Sequence, residues 1–333
     1  MAQATWKVIG ASGFVGSSIV ARLAAVGIPL DAVEAPRLLT RTENPDQLIH
    51  EAKSLDGIIN SLADSFAGCD VVINASGLAA PDQHDLAPLL GANALLPAVI
   101  AIAAQRTGVR RVIHLSSAAV LGPVPVLTDT PQTEPFSAYS YSKALGEEVL
   151  LKIRSYLEET DAEQAVEICV IRATSVQGRG RRTTEAFAKI ASSPLASVAG
   201  RGDRPSPVSS NFALAEFVTQ VASFEGKVPP IVLQPWEGST TSSVLVDAGR
   251  RFPLHLPEAL CRVLVGAGMK VSDALGGRFA GPIRRVEVMW FGQGIDDSWA
   301  RQNGLIPEPR VTEVLRTAHS ALGHPRDKKF TDS

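Results

Sequence analysis

Apolar residues fall along this chain in short blocks whose period switches repeatedly between two and about 3.6. Trp6-Lys-Val-Ile9 is a short β run. It passes through Gly10-Ala-Ser-Gly13-Phe-Val-Gly16 into a helical pattern at Ile19, Val20, Leu23 and Ala24 that ends near Gly27. Pro36-Arg-Leu-Leu-Thr-Arg41 is expected as a second strand, followed by a polar stretch with a helix from Ile58 to Phe66. Cys69-Asp-Val-Val-Ile-Asn-Ala-Ser-Gly77 has the continuous apolar character of a buried strand, and Leu89 to Gln105 that of a buried helix around Asn93. Arg110 to Gly122 is another buried strand, broken at Ser116-Ser117. A Pro/Gly/Thr-rich loop reaches Phe136, and an amphipathic helix runs from Tyr139 to about Leu157. Val166 to Gly178 supplies one more strand and loop. This alternation predicts an α/β fold, a parallel sheet covered by helices on both faces.

After Gly178 the pattern changes. Gly178-Arg-Gly-Arg-Arg182 and Gly200-Arg-Gly-Asp-Arg204 are basic, glycine-containing loops. Ile231 to Ser243 is expected as strand and loop, Leu256 to Val265 as a helix with Pro257 at its start, and Val311 to Leu322 as a last helix. The organisation expected is a first domain over 1–178, a smaller mixed α/β region over 179–325 interleaved with the sheet, and a polar tail over 326–333.

Composition narrows the function classes. In 333 residues, 45% hydrophobic and 20% charged, there is material for a substantial core. A net charge of −2 gives no overall field for nucleic acid or an anionic membrane, so neither is expected as a partner. Three scattered cysteines, Cys69, Cys169 and Cys261, form no disulfide framework or metal set, and a cytoplasmic location is expected. The six histidines make no clustered metal site. Gly-Lys-Ser/Thr and Gly-x-Ser-x-Gly motifs are absent.

Chemistry concentrates where strands end. Glycines between a first strand and a first helix let the backbone approach a pyrophosphate, which the helix N-terminus attracts. On that ground Gly10, Ser12, Gly13, Phe14, Val15 and Gly16 are candidate cofactor residues. Arg41, taken as the end of the second strand with no acid there, tilts the choice towards NADP over NAD. Asp56 is a weak candidate for an adenine contact, and small residues Ala75, Ser76 and Gly77 at a strand end suit a flat ligand. Ala173, Thr174 and Val176 lie at another such end. Tyr139 and Lys143 stand four apart and so share one helix face. A nearby cation lowers a phenol's pKa from its usual value of about 10.

Together, Gly10-Ala-Ser-Gly-Phe-Val-Gly16, Asn74-Ala-Ser-Gly77, Asn93, His114-Leu-Ser-Ser-Ala-Ala-Val-Leu-Gly122, Tyr139-x-x-x-Lys143 and Ile171-Arg-Ala-Thr-Ser-Val-Gln-Gly178 resemble the extended short-chain dehydrogenase/reductase superfamily, the branch of NAD(P)-dependent nucleotide-sugar epimerases, dehydratases and reductases. The resemblance covers roughly the first half of the chain. It implies a Rossmann-type doubly wound parallel sheet with a smaller C-terminal substrate-binding region. It also implies Ser117, Tyr139 and Lys143 as the catalytic set, Lys143 and Asn93 near the cofactor, a nucleotide-sugar substrate and a homodimer through the helices around Asn93 and Tyr139. Arg179, Arg181, Arg182, Arg201 and Arg204 would meet a substrate diphosphate. Two departures matter. Ala118 and Ala119 stand where dehydratases carry an Asp-Glu pair, which argues against dehydration, and Leu121 replaces a tyrosine. Epimerase and ketoreductase remain, with a non-sugar ketone or aldehyde as the alternative substrate and a non-catalytic NADP-binding regulator as a third reading.

Overall fold

The computed structural model describes residues 5–79, 85–160, 165–276 and 279–322. Its main elements, in chain order, begin with β1 (Thr5–Ile9), α1 (Phe14–Ala25), β2 (Leu30–Val33), α2 (Pro45–Ser54), α3 (Asp56–Phe66) and β3 (Cys69–Asn74). There follow α4 (Leu86–Arg106), β4 (Arg111–Ser117), α5 (Ala138–Thr160) and β5 (Glu167–Ala173). Next are β6 (Ser175–Gln177), α6 (Arg182–Ser192), β7 (Ser197–Ala199), β8 (Val208–Ser210), α7 (Asn211–Ser223) and β9 (Ile231–Leu233). The last are α8 (Thr241–Gly249), β10 (Leu254–Leu256), α9 (Glu258–Ala274), α10 (Ala280–Phe291) and α11 (Val311–Leu322).

The chain divides into two compact units. The first holds residues 1–174, 214–235 and 295–307; the second holds 175–213, 236–294 and 308–333. The chain therefore leaves the first unit at Thr174 and returns to it twice. The tail expected over 326–333 lies outside the described residues.

In the first unit six parallel strands lie in the order β9-β5-β4-β3-β1-β2. This is a Rossmann-type sheet. β3, β4 and β5 are buried almost throughout, which is why they read as unbroken apolar runs. A core of Ile9, Val72, Val112 and Ile168 from the sheet joins Ile59 and Phe66 of α3, Ile100 of α4 and Val149 of α5.

Two expectations change here. The second strand is Leu30–Val33, in register Trp6↔Leu30 to Ile9↔Val33, and not Pro36–Arg41. Pro36 has no N–H for a ladder, and residues 34–43 run without regular structure. A helix, α2, was not anticipated; its signal was present in Asn44, whose side chain accepts from the Asp46 and Gln47 N–H groups, with Pro45 as the first helical residue. The apolar character of α4 is accounted for within the chain, because Leu48 and Ala52 of α2 belong to the same core as its Leu95 to Ala104.

α4 contains a π-helical turn at Gly91–Leu95. Such turns widen a helix and often sit at functional sites. Close packing on α5 requires glycine: a Cβ at Gly146 would stand 2.0 Å from the Asn93 carbonyl oxygen.

The second unit has its own core of Ala191, Val198, Leu245, Ala248 and Leu315. Glu237 is its polar centre. Its carboxylate accepts from Ser210 N and Oγ and from the Arg310 and Val311 N–H groups, and so satisfies donors where α7 and α11 begin. The helix expected from Leu256 starts instead after Pro257 and runs to Ala274, following the short strand β10.

Candidate active site

The glycine turn after β1 is shaped by contacts that exclude a side chain. Gly10 has φ +78°, and a Cβ on it would lie 2.7 Å from the Ser76 nitrogen. A Cβ on Gly16 would lie 2.0 Å from the Gly10 carbonyl oxygen. The turn between β1 and α1 therefore packs directly against the Ala75–Gly77 turn after β3. α1 starts at Phe14 with Gly13 as its cap, no side chain capping it and no acid in its first turn. Its opening N–H groups are the kind of donors that bind a phosphate.

The Ala75–Gly77 turn is held from two sides. Asn93 in the π-turn of α4 accepts from Leu78 N at 3.0 Å and donates to Leu78 O and to Ser142 Oγ, both at 2.9 Å. From the other side Asn74 Oδ1 accepts from Ser76 N at 3.1 Å and from Ser76 Oγ at 2.5 Å. Asn74 Nδ2 must then be the donor to His114 Nδ1, 3.0 Å away. This bond network assigns the imidazole proton to Nε2. His114 is 1% exposed, and Nε2 has no partner among the described residues. Burial, helped by the charge of Lys143, holds its pKa well below the usual histidine value, so the ring is neutral.

Lys143 lies on the same side. Its Nζ donates to the Leu115 carbonyl at 2.8 Å, and its side chain is buried. Burial brings its pKa down to about 8, while Glu147 pulls the other way. Glu147 is itself buried in a bidentate pair with Arg172, 2.7 Å at the shortest contact. A Cβ on Gly77 would meet Asn93 Oδ1 at 2.8 Å and Lys143 Nζ at 2.9 Å. Gly77, Asn93 and Lys143 thus converge on one small volume.

Tyr139 is the second residue of α5, one turn ahead of Lys143. The helix start is fixed by Ser137 Oγ, which accepts from Ser140 N, and by Ser140 Oγ, which accepts from Phe136 and Ser137 N–H groups. Tyr141 is engaged elsewhere: its hydroxyl donates to Glu43 at 2.7 Å, which pushes its pKa up to about 12. Ser117, at the end of β4, accepts from Ala119 N at 3.2 Å and keeps its hydroxyl proton for another acceptor. Ala118 and Ala119 form the short 3₁₀ turn that follows.

Gly10, Ser12, Gly13, Phe14, Val15, Gly16, Ala75, Ser76 and Gly77 thus lie in or beside two touching turns, and Asn93 and Lys143 flank the second. Asn93 acts as a brace, since its amide is spent on Leu78 and Ser142. Ala173 and Thr174 end β5, where Thr174 N donates to Gln234 Oε1 at 3.1 Å. Two of the candidate residues do not join this group. Arg41 stands eight residues beyond β2, exposed and 3.8 Å from Asp85. The acid that follows β2 directly is Glu34, so the strand-end test that favoured NADP does not apply to Arg41. Asp56 opens α3 and pairs with Arg106 at 3.1 Å. Arg106 ends α4, about 20 Å of helix from Asn93 at 1.5 Å per residue, so Asp56 lies at the opposite end of the sheet.

Val176 and the five arginines belong to the second unit. Arg181 donates to the Val176 carbonyl, Arg201 pairs with Asp203 at 2.9 Å, and Arg204 pairs with Glu258 at 3.2 Å. Arg179 and Arg182 are exposed. Asn74, His114 and Leu115 lie in segments that carry the family resemblance, but the sequence assigned them no role. Nothing marks an asparagine and a histidine forty residues apart as neighbours before β3 and β4 are aligned.

The family model of the NAD dependent epimerase/dehydratase family matches residues 6–205. The chain belongs to that family. A ketoreductase from Stigmatella aurantiaca, named for 4-hydroxy-2-methyl-3-oxo-4-farnesyl-3,4-dihydroquinoline-1-oxide, is 29% identical over 155 residues. That match spans 44% of either chain, so this chain aligns with less than half of the relative's length. Among solved structures, a UDP-glucuronic acid 4-epimerase from Bacillus cereus in complex with NAD superposes with a TM-score of 0.63 at 14% identity, covering 95% of each chain. RMD from Pseudomonas aeruginosa complexed with NADPH gives 0.57 at 18% identity, covering 95% of this chain and 98% of that one. These likenesses show the fold.

Proposed function

We propose that this family member is an NAD(P)-dependent ketoreductase that acts on a ketone other than a nucleotide sugar. The observation that carries the catalytic part is Lys143. A buried ammonium fixed on the Leu115 carbonyl, against a glycine whose missing side chain lets it lie close, is costly to maintain, and strongly perturbed groups of this kind cluster at functional sites. The two touching turns and the uncapped N-terminus of α1 fit a dinucleotide, with Gly10 to Gly16 for the pyrophosphate and Lys143 for the ribose of the nicotinamide half. NAD(P)H, when bound, supplies the hydride for the carbonyl carbon. Ser117 donates a hydrogen bond to the carbonyl oxygen and orients it. Tyr139 passes its hydroxyl proton to that oxygen as the C–O double bond becomes single, and the alcohol leaves. Lys143 stabilises the phenolate left behind and eases its reprotonation. No carboxylate stands at 118 or 119 to remove water, so the chemistry ends at the alcohol.

The substrate class rests on the arginines and on the Stigmatella aurantiaca relative. Three of the five side chains expected to hold a diphosphate are already bonded within the second unit. The relative is named a ketoreductase, and its substrate carries a farnesyl chain. A second reading, an epimerase or 4-ketoreductase of a nucleotide sugar, is supported by the fold neighbours that bind UDP-sugars. Glu34 directly after β2 favours NAD as the partner of the ribose hydroxyls.

Turnover of apolar aryl ketones and of UDP- and dTDP-4-keto-sugars, followed by nicotinamide absorbance, together with epimerisation of UDP-sugars, followed by chromatography because it consumes no net cofactor, separates the two readings. Ketone-dependent oxidation of NADH or NADPH is expected only with the first set; turnover of the sugars alone transfers the assignment to the second reading. Tyr139→Phe is expected to lower kcat by about 10³-fold, within the usual range for an acid–base group, with cofactor affinity unchanged. Full activity in that variant removes Tyr139 from its role.

A further inference from the structure

The second unit carries a surface feature that the redox chemistry does not use. α6 ends at Ser192 and α8 ends at Gly249, and the two ends meet: a Cβ on Gly249 would lie 2.1 Å from the Ala191 carbonyl oxygen. The chain leaves α8 through Arg250 in the left-handed conformation. Arg251 then donates to the Ser192 carbonyl at 3.4 Å, and Leu254 N donates to the Ala196 carbonyl at 2.8 Å. β7 and β10 pair in parallel from Ser197↔Leu254 onward. Leu195 and Phe252 each sit two residues ahead of that pair, on the segments that lead into β7 and β10.

Both project into solvent. Leu195 is 81% exposed and Phe252 is 84% exposed. Ile190 and Leu254 beside them are each 53% exposed. Four large apolar side chains at the meeting of α6 and α8 thus stay outside the core, as others do on α9, and a cluster of exposed apolar residues marks an interaction site. The polar residues around them are of one sign. Lys189, Arg250 and Arg251 are exposed, and no acid occurs in 189–196 or 250–255. The remaining neighbours on adjoining elements do not offset this. Asp247 is buried against Thr312 and Arg316, and His319 bonds to Ser192 and the Ala248 carbonyl.

We propose that this tip docks on an anionic lipid surface, with Phe252 and Leu195 entering the headgroup boundary and Lys189, Arg250 and Arg251 facing lipid phosphates. The combination decides among occupants. A second copy using the same patch would bring three cations against three cations, which opposes a two-fold pairing. A nucleic acid would take the cations but has no place for two protruding aliphatic and aromatic side chains. An anionic bilayer takes both: apolar tips partition into the boundary layer, and each basic side chain gains from the negative surface potential. The tip lies on a membrane and does not cross it. Among the described residues one helix, Leu86–Arg106, is long and apolar enough to span, and most of it is buried in the first unit. The chain's net charge of −2 gave no sign of such a partner, because Lys189 and the Arg250–Arg251 pair lie far apart in sequence and are gathered only by the meeting of α6 and α8.

Flotation of the full chain with vesicles tests the proposal. Vesicles of phosphatidylcholine with phosphatidylserine are expected to carry the protein upward at low salt, and vesicles of phosphatidylcholine alone are not. Phe252→Ser with Leu195→Ser is expected to reduce the bound fraction at least tenfold. Arg250→Glu with Arg251→Glu is expected to do the same and to abolish the salt dependence. All four positions are exposed, so circular dichroism and Tm should stay at wild-type values. The proposal is overturned if the wild-type chain stays at the bottom with anionic vesicles, or if the Phe252/Leu195 variant floats as wild type does. It is also overturned if sedimentation velocity shows a dimer that Phe252→Ser dissolves, which would assign the tip to a second copy.

Discussion

The Lys143 ammonium donates to the Leu115 carbonyl oxygen at 2.8 Å, so the residue proposed to assist Tyr139 is anchored to the sheet and not to its own helix. The anchor gives the cation a fixed place but does not replace its lost hydration. Its pKa falls from 10.5 to about 8 as a result.

That shift gives the first prediction. The folded state holds the Lys143 proton more weakly than the unfolded state does. Its burial therefore costs stability fully below about pH 8 and ceases to do so as pH rises from about 8 to 10.5. A shift of this size corresponds to a penalty of about 3 kcal/mol at neutral pH. Lys143→Met removes both the charge and the penalty. Its stability relative to wild type should be most favourable at pH 7 and should decline through the pH 8–10.5 window, while turnover falls at least 100-fold. Denaturant unfolding at several pH values measures this, and a difference that does not vary with pH would contradict the origin given for the shift.

A second prediction concerns Glu147, one turn beyond Lys143. It is paired with Arg172, and both side chains are fully buried. Arg172 also donates to the carbonyls of Thr128 and Thr130, which ties the loop after β4 to β5. Breaking a buried pair by removing one partner leaves the other uncompensated and typically costs 3–5 kcal/mol. Glu147→Gln should therefore lower stability by about 3 kcal/mol. It should also move the Lys143 titration further down, because Glu147 is the group that opposes desolvation there. A pH–rate profile whose basic limb stays in place would show that Glu147 acts through packing alone.

What could be read from the residues was local. The Gly10–Gly16 turn, Ser117 at a strand end and the spacing of Tyr139 and Lys143 all lie within single segments, where period and turn chemistry decide. Three features lay beyond that reach. The second strand is Leu30–Val33 and not the expected Pro36–Arg41, because four residues carry too little periodicity to read and only register with β1 picks them out, while Pro36 cannot donate to a ladder. Asp56 looked adjacent to the site in sequence but sits beside Arg106 at the far end of the sheet. Glu237 gathers donors from Ser210 and from Arg310 and Val311, partners separated by a hundred residues that no periodicity connects. The glycine turn was visible because its cause is steric and local; the Asn74–His114 bond was not, because it exists only once β3 and β4 are paired.

That bond supports the last prediction. His114 never touches Ser76, yet both bind the same amide: His114 Nδ1 accepts from Asn74 Nδ2, and Asn74 Oδ1 accepts twice from Ser76. Ser76 in turn forms the wall against which Gly10 packs. Protein rotation of the Asn74 amide would cost two bonds on one side or one on the other, so the imidazole locks the turn as long as it stays neutral. His114→Leu removes the acceptor and releases the amide; Ser76→Ala removes one donor from the other end. Each should weaken cofactor binding severalfold with little effect on kcat at saturating cofactor. Because both act through Asn74, their effects on cofactor affinity should be strongly non-additive, with a coupling of the order of 1 kcal/mol. His114→Gln, which can still present an oxygen to Asn74 Nδ2, should restore part of the affinity. Cofactor titration by fluorescence over the four-member cycle measures the coupling. Simple additivity, or an effect confined to Tm, would reduce His114 to a core residue with no hold on the turn.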